Sequence, residues 1–208
     1  MKKLVLVFMV VASVFASEKI CETRQDKIDG CVLKEYQDGV LIRETPYKNN
    51  QINGILKEYQ NGSLLKSTQY ENDKINGIVK EYFPNTNQLK YQAEFKNDIK
   101  YGKEITYYQN GQIYYTFVFE NDKLIDGEHT YFYPNGNKYS TFNIKNDVFD
   151  GKFVVYNENG KLALEADYKN GEFLGGKCGK RGNLVPKSAG AFNNALEIAK
   201  LCEQDFLF

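Results

Sequence analysis

The sequence predicts an all-β fold, an extended antiparallel meander of about six β-hairpin repeats with a small C-terminal capping helix. Three observations carry that expectation. A glycine returns at Gly30, Gly54, Gly77, Gly102, Gly127, Gly151 and Gly175, at intervals of 23 to 25 residues. An aromatic follows five residues later at Tyr59, Tyr82, Tyr107, Phe132 and Tyr156, and six residues later at Tyr36. A turn pair then recurs as Asp38-Gly39, Asn61-Gly62, Asn110-Gly111, Asn135-Gly136 and Asn159-Gly160. Self-similarity at this period marks stacked supersecondary units, each of which buries its apolar side only against its neighbours.

Residues 1–16 read as a secretory signal peptide. Lys2 and Lys3 precede an apolar run from Leu4 to Phe15, too short for a comfortable membrane span, and Val14-Phe15-Ala16 sets up a cut before Ser17. An exported chain, periplasmic or extracellular, is expected, with no integral membrane span after cleavage. The full chain of 208 residues has 27 basic and 27 acidic residues; loss of Lys2 and Lys3 leaves the mature net charge at −2. That balance argues against a nucleic-acid partner.

Residues 17–29 form an N-terminal cap, read as a degenerate half-unit carrying Cys21. Residues 30–175 hold the six hairpin repeats. In the second unit Ile55 to Tyr59 is a strand and Asn61-Gly62 turns the chain, because both residues tolerate positive φ. Leu64 to Tyr70 returns, and Asn72-Asp73 turns again. The third unit departs at Asn85-Thr86-Asn87, where a longer or bulged loop is expected. Return strands alternate with period two, as Tyr70, Thr68, Lys66, Leu64 and as Phe119, Phe117, Tyr115, Ile113, which makes one sheet face apolar. About twelve strands result. Residues 176–208 form a C-terminal cap, where Ser188 starts a helix from about Ala189 to Gln204 that covers the last strands.

Four cysteines allow three pairings. The pairing that flanks each cap, Cys21–Cys31 with Cys178–Cys202, is expected in an oxidising compartment. Zinc is the weaker alternative, because tight Cys-x-x-Cys spacing is absent and the one histidine, His129, lies in mid-array.

These units resemble the bacterial variant of the MORN repeat (membrane occupation and recognition nexus). Gly77-Ile78-Val79-Lys80-Glu81-Tyr82 matches its opening; Lys103 to Tyr108, Asn110-Gly111 and Asn121-Asp122-Lys123-Leu124 match the rest. The resemblance spans about residues 30–175. It implies an extended sheet of hairpins and no enzymatic role. Some bacterial relatives are antitoxin components, which implies an antitoxin-like or immunity role as one alternative.

Chemistry is sparse. No catalytic residue, cofactor or metal site is expected. The recurrent acidic turn residues Asp73, Asp98, Asp122 and Asp147 read as turn formers rather than calcium ligands, one carboxylate per turn. One departure points to binding. By period-two parity, Tyr108, Tyr114, Val118, His129, Tyr131, Tyr133 and Tyr139 point away from the face carrying Tyr107, Tyr115, Phe117 and Phe142. Tyrosine joins apolar area to a hydroxyl at low entropy cost, so Tyr108, Tyr114, His129, Tyr131, Tyr133 and Tyr139 are the candidate binding face. Cross-strand pairing of tyrosines is the competing explanation. The expected partner is another protein, with a surface glycan as the alternative ligand.

Overall fold

In the computed structural model the described residues are 19–179, 183–185 and 202. The expected signal peptide and the expected C-terminal helix, apart from Cys202, lie outside them. The chain enters through a short helix, α1 (Arg24–Asp29), and then runs as sixteen strands of one sheet. These are β1 (Cys31–Gln37), β2 (Val40–Lys48), β3 (Gln51–Ile52), β4 (Gly54–Gln60), β5 (Ser63–Glu71) and β6 (Lys74–Tyr82). There follow β7 (Leu89–Lys96), β8 (Ile99–Tyr107), β9 (Ile113–Glu120), β10 (Lys123–Leu124) and β11 (Gly127–Phe132). The last are β12 (Lys138–Lys145), β13 (Val148–Tyr156), β14 (Leu162–Lys169), β15 (Glu172–Cys178) and β16 (Asn183–Val185). Each neighbour follows the last in sequence and pairs antiparallel; β3 and β10 pair only with β2 and β9.

The sheet is therefore the expected meander, with four strands beyond the expected twelve. Two are the short β3 and β10, where the chain leaves the ladder at Asn53 and at Ile125-Asp126 before β4 and β11 begin. The others, β15 and β16, continue the meander past the last repeat. The N-terminal cap differs from the expected half-hairpin. Thr23 and Asp26 make a reciprocal capping box, which satisfies the first amides of a helix and commits residues 24–29 to α1. Both expected disulfides are present, with Cα–Cα separations of 5.1 Å for Cys21–Cys31 and 5.3 Å for Cys178–Cys202.

Two irregularities per unit set the geometry. The first is a bulge in the hairpin. Glu58 pairs with Lys66 and Tyr59 with Leu64, so Leu65 is an extra residue. Ile42, Lys90, Tyr114, Tyr139 and Ala163 occupy the same place in the other units. Leu64 therefore does not continue the face of Tyr70, Thr68 and Lys66, as strict alternation would have it. The second lies where units join. Thr68 pairs with Val79 but Tyr70 with Ile75, so three residues oppose Gln69 alone. The repeat glycine sits there. Gly77 has φ +121°, and a Cβ on it would fall 2.2 Å from Gln69 Oε1. That backbone region is essentially glycine's own, which is why the glycine sets the period.

The turns between units are uniform. Asn72-Asp73, Asn97-Asp98, Asn121-Asp122 and Asn146-Asp147 all have positive φ at both residues. The hairpin turns are not. Asp38-Gly39 and Asn61-Gly62 are both positive, as expected, but in the later units only Gly111, Gly136 and Gly160 are. There the loop is longer: Tyr108 N–H donates to Gln112 O and Gly111 N–H to Tyr108 O, both at 2.9 Å. The departure at Asn85 to Asn87 is also a longer loop, closed by Phe83 N–H to Gln88 O at 3.0 Å.

Candidate functional site

The sheet register sorts side chains into rows that cross the strands, and the rows on one face define the site. One row runs Arg43, Glu58, Lys66, Glu81, Tyr91, Thr106, Tyr115, Tyr131, Ser140, Val155, Leu164. A second runs Leu56, Thr68, Val79, Ala93, Glu104, Phe117, and then His129, Phe142, Phe153, Ala166. Along this face the chemistry passes from alternating charge, through tyrosine, to aliphatic core. The core cluster lies at the C-terminal end and includes Phe117, Phe142, Phe153, Leu164, Ala166, Phe173, Cys178 and Cys202.

At the N-terminal end the same face is open and concave. Residues of β2 to β8 enclose a groove of about 560 Å³. Its one wall is ionic: Arg43 pairs with Glu58 at 3.1 Å and Lys66 with Glu81 at 3.5 Å, with Lys90 beyond. The other wall is apolar, made of Tyr70, Ile75 and Phe95, and Leu56, Thr68 and Val79 form the floor.

Where groove meets core, Glu104 is buried and saturated. It accepts from Tyr115 OH at 2.8 Å and Tyr91 OH at 3.0 Å, and Lys100 Nζ pairs with it. Burial above all, joined by the adjacent Glu104 carboxylate, pushes the Tyr91 phenol up, and at Tyr115 the same two causes outweigh a hydrogen bond with Thr106 that acts the other way and push the phenol up to about 12.

The candidate tyrosine face is arranged differently from its expectation. His129 pairs with Phe142, and Tyr131 pairs with both Tyr115 and Ser140. His129 and Tyr131 thus share a face with Tyr115, Phe117 and Phe142 instead of opposing them. Ring contacts confirm it: Phe117 lies 5.3 Å from His129 and 5.2 Å from Tyr131. Tyr114, the bulged residue, turns its ring to 5.0 Å from Tyr131, and Tyr108 lies 5.2 Å from Tyr114. Tyr139 packs on the core cluster and against Tyr133 at 4.9 Å. Val118 pairs with Lys103 on the far side, and Tyr107, following Thr106, alternates to that side too. The parity count failed because each hairpin carries an extra residue.

Several of these residues have structural work. Tyr108 OH donates to Phe132 O and Tyr133 OH to Tyr156 O, each at 2.8 Å, so both tie one unit to the next. Asn110 and Asn135 side chains do the same, to Pro134 O and Glu158 O. His129 is buried, with Nε2 at 2.9 Å from Ile125 O. The acidic turns are explained likewise: Asp73, Asp98 and Asp122 accept from the amides of Ile52, Ile75 and Lys100 in the preceding unit at 2.7 to 2.8 Å. Asp147 pairs instead with Lys123 at 2.5 Å.

On the opposite face Glu44 is buried among Tyr59 OH at 2.7 Å, Lys34 at 3.2 Å and Lys57 at 3.3 Å. Burial raises its pKa, but these partners outweigh burial and hold the carboxyl below its ordinary value. The groove itself is what sequence reasoning missed. Its residues are ordinary strand positions, and only the recurrence of Arg43, Glu58, Lys66 and Glu81 at one repeat phase could have marked the row.

Comparison with known proteins agrees with the geometry. The family model described as MORN repeat variant matches residues 28–49, 100–121, 125–146 and 149–170. These four matches support a MORN-repeat protein. No curated protein matches. A solved structure titled alternansucrase in complex with isomaltononaose is similar over 74% of this chain and 13% of that one, at 16% identity and a TM-score of 0.24. Among the described residues no helix is long and apolar enough to cross a membrane.

Proposed function

We propose that this is an exported, non-enzymatic repeat protein whose concave face holds a protein partner. The observation that supports the reading is the groove over β2 to β8. It continues a face whose C-terminal end is buried, yet it stays open along the N-terminal units. Interfaces take their energy from aromatic and arginine anchors around an apolar centre with a polar rim. Tyr70, Tyr91 and Phe95 with Arg43 supply those groups here, and Tyr114 and Tyr131 extend them toward the core. MORN repeats act as protein- or lipid-binding modules, and both disulfides suit an oxidising compartment.

The test is recovery of partners from the exported fraction by wild type and by two charge-reversed variants. Lys66→Glu with Lys90→Glu alters the groove wall. Lys80→Glu with Lys103→Glu alters the opposite face to the same extent. Loss of a specific partner with the first pair alone supports the concave face. Equal recovery by both variants refutes it. A toxin encoded beside this chain, recovered through the groove, would assign the immunity role. An oligosaccharide that binds the same face while no protein does would replace the protein reading with the glycan one.

A further inference from the structure

Building on the concave-face reading, we propose that the groove accepts an amphipathic α-helix of the partner, laid along the array with acidic residues one heptad apart. The dimensions lead to this occupant. From the ionic row at Lys66 to the apolar row at Tyr70 is four residues along a strand, about 13 Å wall to wall, against about 10–12 Å for a helix with its side chains. From β2 to β8 the groove crosses five strand spacings, about 24 Å, which a helix of about 16 residues spans, with one face seated in the groove.

The periodicity agrees as well. Successive units advance by two strands, about 9.6 Å, and a helix advances about 10.5 Å per heptad. Arg43 and Lys66 stand at the same place in successive units, and Lys90, the bulged residue beside Tyr91 in the next unit, lines the same wall, so acidic side chains seven residues apart meet a cation at each step. Glu58 and Glu81 are already paired with Arg43 and Lys66, while Lys90 makes no ion pair among the described residues. An acidic partner therefore gains most at Lys90. An extended peptide is the poorer occupant. The groove is lined by side chains and runs across the strands, so a peptide's own N–H and C=O groups would meet no sheet edge, whereas a helix satisfies them internally.

The experiment uses the full chain and three synthetic 18-residue peptides, with binding read by fluorescence anisotropy. One peptide has a leucine face flanked by Glu at positions i, i+7 and i+14. The second carries Lys at those positions. The third scrambles the first so that no apolar face forms. The Glu peptide is expected to bind at least tenfold tighter than either other peptide and to become helical on binding by circular dichroism. Lys66→Glu with Lys90→Glu should reverse the preference to the Lys peptide while the sheet spectrum is unchanged. Equal binding of the Glu and scrambled peptides, or a preference untouched by that charge reversal, overturns the proposal. If neither holds yet the groove variant still loses a natural partner, the helix is wrong and the concave face stands; if the partner is retained, both fail.

Discussion

Replacing Gly77 by alanine tests the origin of the repeat period. Two costs are separable in the structure. The backbone sits at φ +121°, where an L side chain is strained by about 1–3 kcal/mol. The new Cβ would also lie 2.2 Å from Gln69 Oε1 and 3.0 Å from Gln69 Cγ. That contact is with a flexible side chain, which can swing away after losing its acceptance from Ile78 N–H at 3.3 Å. Alanine restricts the unfolded chain and returns about 0.4–1 kcal/mol. The net loss is then about 0.5–2.5 kcal/mol, or a fall in Tm of roughly 1–10 °C for a chain of this length. Gln69→Ala with Gly77→Ala removes the clash and leaves the strain. Most of the loss should therefore persist in the double variant. Gly62→Ala is the comparison: φ is +77° and nothing lies within 4 Å of the new Cβ, so only the smaller left-handed cost applies, about 1 kcal/mol. Thermal unfolding followed by far-ultraviolet circular dichroism reads all three. A Gly77→Ala variant as stable as wild type, or full rescue by Gln69→Ala, would refute backbone strain as the reason for the glycine.

Three further outcomes follow from the contacts. Tyr108→Phe and Tyr133→Phe each remove a hydrogen bond between adjacent units and should each cost about 0.5–1.5 kcal/mol in chemical denaturation. Glu44 is held below its ordinary value, so its contribution is present above about 4.5 and is lost as pH falls through the lower folded-state value. Glu44→Gln should flatten the acid limb of a Tm-against-pH curve. Tyr115 is raised from 10.0 to about 12, so its contribution is present below 10.0 and is lost as pH rises through that interval. A tyrosinate absorbance titration should show a late step there, and Glu104→Gln should move that step to lower pH.

The architecture was legible because it rests on local chemistry repeated in register. Asn-Gly and Asn-Asp turns, the returning glycine and the alternating return strands each specify a conformation within a few residues, and six copies remove the ambiguity of one. The disulfides were legible because each pair closes one end. The faces were less so. Period-two parity is an argument about regular strands, and Tyr114 and Tyr139 are the extra residues of bulges that the sequence does not announce. One inserted residue exchanges the two faces for everything beyond it. That is how His129 and Tyr131 were set opposite Phe117 when they pack against it. The binding of Asp98 to the amide of Ile75 was also out of reach, because it joins turns 23 residues apart that only the stacked sheet brings together. The groove depends on six neighbouring strands, β2 and β4 to β8, brought side by side, which no single repeat encodes.

The most direct measurement is photocrosslinking from defined positions in living cells. Benzoylphenylalanine placed at Lys66 or Lys90 stands in the groove, and at Lys80 or Lys103 it stands on the opposite face. A partner held by the concave face gives one discrete protein adduct from positions 66 and 90 and none from 80 and 103. Adducts from the opposite face alone, or the same adducts from all four positions, would contradict the assignment of the concave face as the binding surface.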